Sequence, residues 1–234
     1  MNHYFITASG TDVGKTLVTT ALCWQLRQQG KKVTALKPVA TGFSAADEHS
    51  DSALILKSCG LTPTPSMIET ITPWRYAAYL TPSMAAPQER DQVDFSKLIG
   101  YCKDHTNLES DVVLVEGVGG IMAPMTESKT VLDWMKQLRW PVILVGGTYL
   151  GSISHTLSSY EALKAHNVQV RAIILSESER STVPINDTVA ALQAFVNPDM
   201  PVVKIPRIQS HQELWQHAPL ISWLVSDEKY TGVM

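Results

Sequence analysis

The segment at residues 6–16, ITASGTDVGKT, constrains the fold of this chain more than any other part of it. A short apolar strand leads into it, and a small polar turn ends on Gly14, Lys15 and Thr16 before a helical pattern begins. Strand, glycine-bearing loop and helix in this order predict a phosphate-binding loop. Backbone N–H groups and the helix dipole would hold the phosphates, with Lys15 near the terminal phosphates and the Thr16 hydroxyl on Mg²⁺.

One departure from the common form of this loop leaves a second interpretation open. The usual pattern is Gly-x-x-x-x-Gly-Lys-Ser/Thr, and Ser9 stands where the first glycine is expected. The segment is therefore also compatible with a glycine-capped strand-to-helix turn that happens to precede a lysine. The strand before the loop and the helix after it favour the phosphate-binding loop.

Length, charge and cysteine content narrow the class of protein. A chain of 234 residues fits one α/β domain over residues 1–234. A net charge of −3, with no basic run, argues against a nucleic-acid-binding surface. No basic leader and no bilayer-length apolar run are visible, so we expect a cytoplasmic protein without a membrane segment. Cys23, Cys59 and Cys102 are widely spaced, which predicts packing thiols in a reducing compartment.

Strand patterns alternate with helical patterns along the whole chain. Strands are predicted at residues 4–6, 33–36, 112–115, 141–146, 170–175 and 202–205. Helices are predicted at residues 16–29, 51 to about 60, 95–105, 152 to about 165, 189–195 and, interrupted, 213–225. Residues 37–42 are predicted to be a loop, and residues 61–90, rich in Pro and Thr, an irregular excursion. This alternation predicts an α/β fold with a doubly wound, mostly parallel sheet flanked by helices, of the P-loop NTPase type.

Three charged residues are candidates for the site, each with a simpler alternative. Lys37 follows the second strand, at the sheet edge where open α/β sheets bind ligands, or it is an ordinary solvated lysine. Glu116 ends a fully apolar strand and is followed by three glycines in four residues, beside the phosphate loop, or it is an exposed residue before a flexible turn. Asp51 starts a helix, where it, like Ser50, is also a suitable N-cap.

A further helix start, at residues 151–154, follows the second buried strand of the predicted sheet. Its free N–H groups and positive dipole end suit a carboxylate ligand. His155 lies in the same turn, where packing or capping is a commoner role for a lone histidine than catalysis.

These motifs together resemble the dethiobiotin synthetase family over nearly the full chain. The phosphate loop is followed, in order, by KPVATG at 37–42, SDSA at 50–53, EGVGG at 116–120 and LGSISH at 150–155. In that family ATP, CO₂ and 7,8-diaminononanoate give the cyclic urea dethiobiotin, with ADP and phosphate, in biotin synthesis. The resemblance implies a carbamate and a carbamic–phosphoric anhydride as intermediates, and it implies a homodimer with the site at the subunit interface.

The resemblance also implies roles for particular residues. Lys37 and Lys15 would be catalytic, and Thr16, Asp51 and Glu116 would surround Mg²⁺. ATP would be contacted by Asp12, Val13, Gly14, Lys15, Thr16, Leu17, Asp51, Glu116, Gly117, Val118, Gly119, Ser176, Glu177, Pro206, Arg207 and Ile208. The diamine would be contacted by Thr41 and, from the neighbouring subunit, by Gly151, Ser152, Ile153 and Ser154.

The chain departs from the family pattern in three places. Ala8 replaces a glycine before the loop, and Ser176 aligns with an asparagine that contacts adenine in the family. A Ser-Pro-His segment of the substrate wall reads Thr-Pro-Ser at residues 81–83.

Two other functions fit a deviant phosphate loop. One is an ATP-dependent ligase of the kind that amidates cobyrinic acid. Such a ligase needs a glutaminase domain with a nucleophilic cysteine, and we expect no room for that domain beside the P-loop domain. The other is a switch ATPase of cell division or plasmid partition. Such ATPases carry a signature lysine where this chain has Gly10. They also tend to have a basic patch or a basic amphipathic C-terminal helix, whereas this chain reads SDEKY at 226–230.

Overall fold

A six-stranded parallel sheet forms the centre of the protein. The computed structural model describes residues 2–107, 109–209 and 213–225. Its strands are β1 Asn2–Ala8, β2 Val33–Leu36, β3 Val39–Thr41, β4 Trp74–Tyr76, β5 Val112–Glu116, β6 Val142–Gly146, β7 Val170–Ser176 and β8 Val202–Ile205. Its α-helices are α1 Lys15–Gln28, α2 Asp51–Ser58, α3 Pro65–Ile71, α4 Pro82–Gln88, α5 Phe95–Asp104, α6 Val131–Leu138, α7 Ser152–Ala165 and α8 Ile185–Gln193. Short 3₁₀ helices lie at His105–Asn107, Leu214–His217 and Ser222–Val225.

The order of the main sheet is β2-β5-β1-β6-β7-β8, and each neighbouring pair is parallel. Every residue of β5 and β6 is buried, as expected for strands covered by helices on both faces. The predicted α/β fold with a parallel sheet is therefore confirmed. A single domain over residues 1–234 stays a prediction, and the acidic segment at 226–230 lies outside the described residues.

The region between β2 and α5 is more ordered than the sequence predicted. Residues 37–42 are not simply a loop, because β3 pairs in parallel with β4 in a separate two-stranded sheet. Residues 61–90 are not irregular, since α3, β4 and α4 lie within them. Pro65 and Pro82 each occupy the first turn of a helix, where the missing N–H costs nothing. Three-residue strands are too short to show a period of two.

Other differences concern short elements and helix ends. Helix α6 was not predicted, although Thr130 and Asp133 form a capping box at its start. The interrupted helix predicted at 213–225 is instead two 3₁₀ turns. Within them Trp215 is buried in the core, and the Trp223 indole N–H donates to the Leu220 carbonyl.

The three cysteines are free thiols, with Cys23 and Cys102 buried and Cys59 half-buried, in agreement with a packing role. Among the helices in the described part of the chain, none is both long and apolar enough to span a bilayer.

A buried glutamine in α1 holds the C-terminal segment against the sheet. The Gln25 side-chain oxygen accepts from the backbone N–H groups of Ile221 (2.8 Å) and Ser222 (3.1 Å). Its amide nitrogen donates to the carbonyl of Pro219 at 2.8 Å. Gln25 thus supplies hydrogen bonds to backbone groups of residues 219–222, which pair with no strand in the described part of the chain.

We predict that Gln25→Leu lowers the free energy of unfolding by about 2 kcal/mol or more, because two buried N–H groups lose their acceptor. Urea denaturation of both proteins measures the difference. The matched control is Gln28→Leu, at an exposed position of the same helix, with an expected change within about 0.5 kcal/mol. Equal effects of the two substitutions would contradict the anchoring role of Gln25.

Candidate functional site

The phosphate loop connects the end of β1 to the start of α1 through two residues in left-handed backbone conformation. Asp12 has φ +56° and Gly14, the N-cap of α1, has φ +100°. A Cβ on Gly14 would lie 2.6 Å from the Ser176 side-chain oxygen, so only glycine fits there. Lys15 is buried and donates to the Gly10 carbonyl at 3.2 Å. Burial, assisted by the nearby charge of Lys37, lowers the pKa of Lys15 to about 8.

Strand register brings Lys37 and Glu116 together at the same edge of the sheet. Leu36 pairs with Val115, so the next residues on the two strands, Lys37 and Glu116, are neighbours. Glu116 in turn pairs with Ile6 of β1, just before the phosphate loop. Both side chains are inside the protein, with Lys37 3% exposed and Glu116 0% exposed. The alternatives of a solvated lysine and an exposed glutamate are therefore wrong.

Asp51 completes this group from the first turn of α2. The side chain of Ser50, not that of Asp51, caps the helix by accepting from the Ala53 N–H at 3.4 Å. Asp51 instead lies with one carboxylate oxygen 2.7 Å from the Thr16 hydroxyl and the other 2.9 Å from the Lys37 ammonium. The interpretation of Asp51 as a cap is wrong, because its neighbour takes that role.

Lys37 is the centre of a buried ion cluster. Its ammonium lies 2.6 Å from Glu116 Oε1 and 2.9 Å from Asp51 Oδ2, and it donates to the Gly117 carbonyl at 3.1 Å. Burial alone would lower the pKa of Lys37, but the two carboxylates outweigh it and hold that pKa above its ordinary value. The charge of Lys37 in turn lowers the pKa of Asp51 to about 2. Lys37 and Asp51 are therefore charged at neutral pH.

Thr16, Asp51 and Glu116 have the chemistry of a Mg²⁺ site. The Thr16 hydroxyl lies 2.7 Å from Asp51 Oδ1 and 3.0 Å from Glu116 Oε1. Glu116 Oε2 is buried and has no hydrogen-bond partner among the described residues. One hydroxyl and two carboxylates are hard oxygen ligands, and Mg²⁺ commonly takes only one or two carboxylates beside substrate phosphates and waters. The residues therefore fit this ion.

A cavity of about 860 Å³ opens above these residues. Its polar part includes Asp12, Gly14, Lys15, Thr16, Lys37, Thr41, Asp51 and Gly119. Its apolar part includes Phe43, Tyr79, Leu80, Pro82 and Val118. The volume is in the range of small-molecule sites, and the two linings suit a charged group beside an alkyl chain.

The ends of β7 and β8 form a second group beside the loop. Ser176 lies against Gly14. The Glu177 backbone N–H donates to the Ile205 carbonyl at 2.9 Å, and the Glu177 carboxylate accepts from the Arg207 N–H at 2.8 Å. Glu177 therefore connects the end of β7 to the end of β8. The predicted ATP-contacting residues Ser176, Glu177, Pro206, Arg207 and Ile208 thus lie together at the ends of these two strands, with Ser176 against the phosphate loop.

The predicted carboxylate site at the start of α7 is separate from this cavity. Gly151, with φ +94°, is the N-cap of α7, and no side chain caps that end. None of the residues at 151–154 lines the cavity in the described part of the same chain. His155 lies in the first turn of α7, and its Nδ1 is 2.8 Å from the Tyr149 hydroxyl.

Three residues of the apolar wall, Phe43, Tyr79 and Leu80, were missed from the sequence, whereas Pro82 lies in the predicted substrate wall at 81–83 and Val118 is a predicted ATP contact. Tyr79 is 89% exposed and lies over Gly42, where a Cβ would come within 2.4 Å of the tyrosine ring. Phe43, Tyr79 and Leu80 belong to short irregular stretches without periodicity. The available signal was Gly42 directly after Thr41, because a glycine with positive φ at a ligand edge often permits close approach.

Comparison with known proteins identifies the family. A family profile described as an AAA domain matches residues 2–212. The ATP-dependent dethiobiotin synthetase BioD of Methylobacterium nodulans is 43% identical over 190 residues, 79% of this chain and 84% of the relative. The enzyme of the same name from Caulobacter vibrioides is 36% identical over 228 residues, 97% of this chain and 100% of the relative. This chain belongs to the dethiobiotin synthetase family. The predicted family resemblance is confirmed, and with it the assignment to ATP-dependent ligases.

Solved structures that resemble this dethiobiotin synthetase family member show its fold alone. A MinC:MinD cell division complex from Aquifex aeolicus superposes with a TM-score of 0.56 at 14% identity, covering 93% of this chain and 86% of that chain. A ParA family ATPase from Chlorobium tepidum has a TM-score of 0.54 at 12% identity, covering 92% and 89%. These values support a P-loop NTPase fold and carry no functional argument for a switch ATPase.

We predict that Gly14→Ala weakens ATP binding at least about tenfold, because the added Cβ collides with Ser176 and distorts the phosphate loop. Calorimetric titration with a non-hydrolysable ATP analogue measures the affinity. Gly30→Ala is the matched control: Gly30 also has positive φ, +75°, but nothing lies within 4 Å of its Cβ position. An unchanged affinity in Gly14→Ala would show that this glycine is not needed for the loop.

Proposed function

We propose that this protein closes 7,8-diaminononanoate and CO₂ into dethiobiotin at the expense of ATP, the reaction for which its relatives are named. Membership of the family supports the reaction class. The observation that carries the proposal to this site is the Lys37 ammonium, buried against Glu116 and Asp51 beside the phosphate loop. That arrangement places positive charge where a phosphoryl group and a carboxylated amine would meet.

The chemistry gathers negative charge at one place. One neutral amine of the substrate adds to CO₂ and loses a proton to give a carbamate. The carbamate oxygen then attacks the γ-phosphorus and displaces ADP, which gives a carbamic–phosphoric anhydride. The second amine attacks the carbonyl carbon of this anhydride, loses a proton, closes the ring and expels phosphate. Lys15, Lys37 and the loop N–H groups lie where this charge would develop, so the protein contributes mainly positioning and electrostatic stabilisation. Lys37 would also disfavour a neighbouring substrate ammonium and favour the anionic carbamate.

Thr16, Asp51 and Glu116 would hold Mg²⁺. The ion, when bound, supplies positive charge to the phosphate oxygens. The Oε2 atom of Glu116 is buried without a hydrogen-bond partner in the part of the chain that the structure describes, and this atom and the donor set support the assignment.

The remaining predicted residues divide between nucleotide and diamine. The triphosphate would be contacted by residues 12–17 and 117–119. The nucleoside would be contacted by Ser176, Glu177 and residues 206–208. Thr41, which lines the cavity, would contact the diamine or its carbamate.

The protein would act as a homodimer in the cytoplasm, where ATP is supplied. The start of α7, at residues 151–154, has no side-chain cap and would bind the carboxylate of a substrate molecule that lies in the cavity of the neighbouring subunit. Residues 151–154 do not line the cavity of their own chain, which is why we assign them to the neighbouring one. Leu150, 82% exposed just before this turn, supports a contact surface here.

We predict that phosphate release from ATP, with Mg²⁺ and bicarbonate present, requires 7,8-diaminononanoate. The expected result is an increase of at least about 10²-fold on adding the diamine, because the acceptor of the phosphoryl group is the carbamate formed from it. A coupled phosphate assay with and without the diamine measures this. Release at the same rate in both cases would contradict the proposal and favour a switch ATPase.

We predict that Lys37→Ala lowers kcat by about 10²-fold or more, the scale of losing one donor to a developing oxyanion. Lys15→Ala is expected to weaken nucleotide binding as well as turnover. Steady-state kinetics with varied ATP separates the two effects. Lys97→Ala, at an exposed lysine paired only with Asp94, is the control and should keep full activity. Near-normal turnover of Lys37→Ala would exclude the proposed role.

A further inference from the structure

Lys37 is bonded to both carboxylates that the proposed function assigns to the metal ion. Its ammonium is 2.6 Å from Glu116 Oε1 and 2.9 Å from Asp51 Oδ2. The Thr16 hydroxyl lies against Glu116 Oε1 and the other oxygen of Asp51. Three of the four carboxylate oxygens therefore have a partner, and only Glu116 Oε2 has none among the described residues.

Charge balance makes this arrangement unfavourable for a second cation. One ammonium and two carboxylates sum to a formal charge of −1, and a divalent ion added alone would bring the group to +1. Lys37 and Glu116 are almost fully buried, so little water is present to screen the repulsion between the two cations. The ammonium is also held by the Gly117 carbonyl at 3.1 Å, so moving it away from the carboxylates costs a further hydrogen bond.

We propose that Lys37 competes with a divalent metal ion for the Asp51–Glu116 pair, so that the protein binds the metal weakly alone and tightly only together with a triphosphate. The triphosphate brings enough negative charge to compensate both cations. Because coupling between two ligands is reciprocal, the metal raises nucleotide affinity by the same factor. This inference rests on the proposed function for the assignment of the metal ligands. It adds that the metal ion fills its site only when the triphosphate binds.

Lys37 would therefore interact with different groups before and after the triphosphate and the metal ion bind. Without a triphosphate it neutralises Glu116, which would otherwise be an uncompensated charge in the interior, and the half-exposed Asp51. With the triphosphate and metal in place, its charge is available to the carboxylated substrate. The same side chain thus stabilises the site and prevents a metal from filling it prematurely.

Direct metal titration tests the proposal. Mn²⁺, which accepts the same hard oxygen ligands and is visible by electron paramagnetic resonance, is titrated into protein without nucleotide. Lys37→Met is expected to bind Mn²⁺ at least about tenfold more tightly than the unmodified protein, since the competing cation is gone. Lys37→Arg keeps the charge and is expected to stay within about threefold of the unmodified protein. Equal or weaker Mn²⁺ binding by Lys37→Met would overturn the proposal.

Lys15→Met is the matched control for a general effect of removing positive charge. Lys15 is another buried lysine of the same cavity, but its hydrogen bond goes to the Gly10 carbonyl and not to a carboxylate. Lys15 is near enough to help lower the pKa of Asp51, so its replacement is expected to raise Mn²⁺ affinity, but clearly less than replacement of Lys37, which contacts both carboxylates directly. A gain in Lys15→Met as large as that in Lys37→Met would also overturn the proposal, because competition would then not be specific to Lys37.

A measurement on the unmodified protein keeps the test independent of variant folding. Mn²⁺ affinity is compared with and without a non-hydrolysable ATP analogue, after subtraction of the binding of Mn²⁺ to the analogue itself. The expected gain is at least about tenfold, and no gain would overturn the proposal. These titrations are made without diamine and without turnover. If phosphate release proved independent of the diamine, the proposed reaction would be contradicted, but the Mn²⁺ titrations would still test the competition by Lys37.

Discussion

The ion cluster of Lys37, Glu116 and Asp51 is the interaction on which the rest of the site depends. Glu116 ends the strand beside β1, Lys37 follows the strand beyond it, and Asp51 starts the helix that packs over this edge. Lys37 and Glu116 are buried and need each other, because removing one partner of a buried ion pair typically costs about 3–5 kcal/mol. Each carboxylate and the ammonium compensate one another, and Thr16 connects the cluster to the phosphate loop.

The ion cluster forms only because the strands of the parallel sheet pair in one particular register. The register that pairs Leu36 with Val115 and Ile6 with Glu116 places the three functional segments at one carboxyl edge. A register shift of one residue would point Glu116 to the other face of the sheet and leave Lys37 without its partner. The apolar sequences of β5 and β6, buried throughout, therefore determine the site as well as the core.

The sequence was sufficient for the sheet, most helices and the polar half of the site, because these follow from patterns of several residues. A continuous apolar strand ending in Glu116 indicates where the carboxylate lies, and the strand–loop–helix pattern locates Lys15 and Thr16. It was insufficient where elements are short or depend on distant contacts. The pairing of β3 with β4 leaves no periodicity, and Tyr79 joins the cavity only because Gly42 allows its ring to approach. Asp51 shows a third limit: its competition with Ser50 for the cap is decided by Thr16 and Lys37, which are remote in sequence.

The central claim is that a triphosphate, CO₂ and a diamine react at this cluster to give a cyclic urea. Incubation with ¹³C-bicarbonate, ATP, Mg²⁺ and 7,8-diaminononanoate, followed by mass spectrometry and ¹³C NMR of the product, tests it most directly. We predict one labelled urea carbon for each phosphate released, and labelled product formed at least about 10²-fold more slowly when Lys37 is replaced by Ala. Phosphate release without labelled urea, or labelled urea formed equally well by that variant, would contradict it.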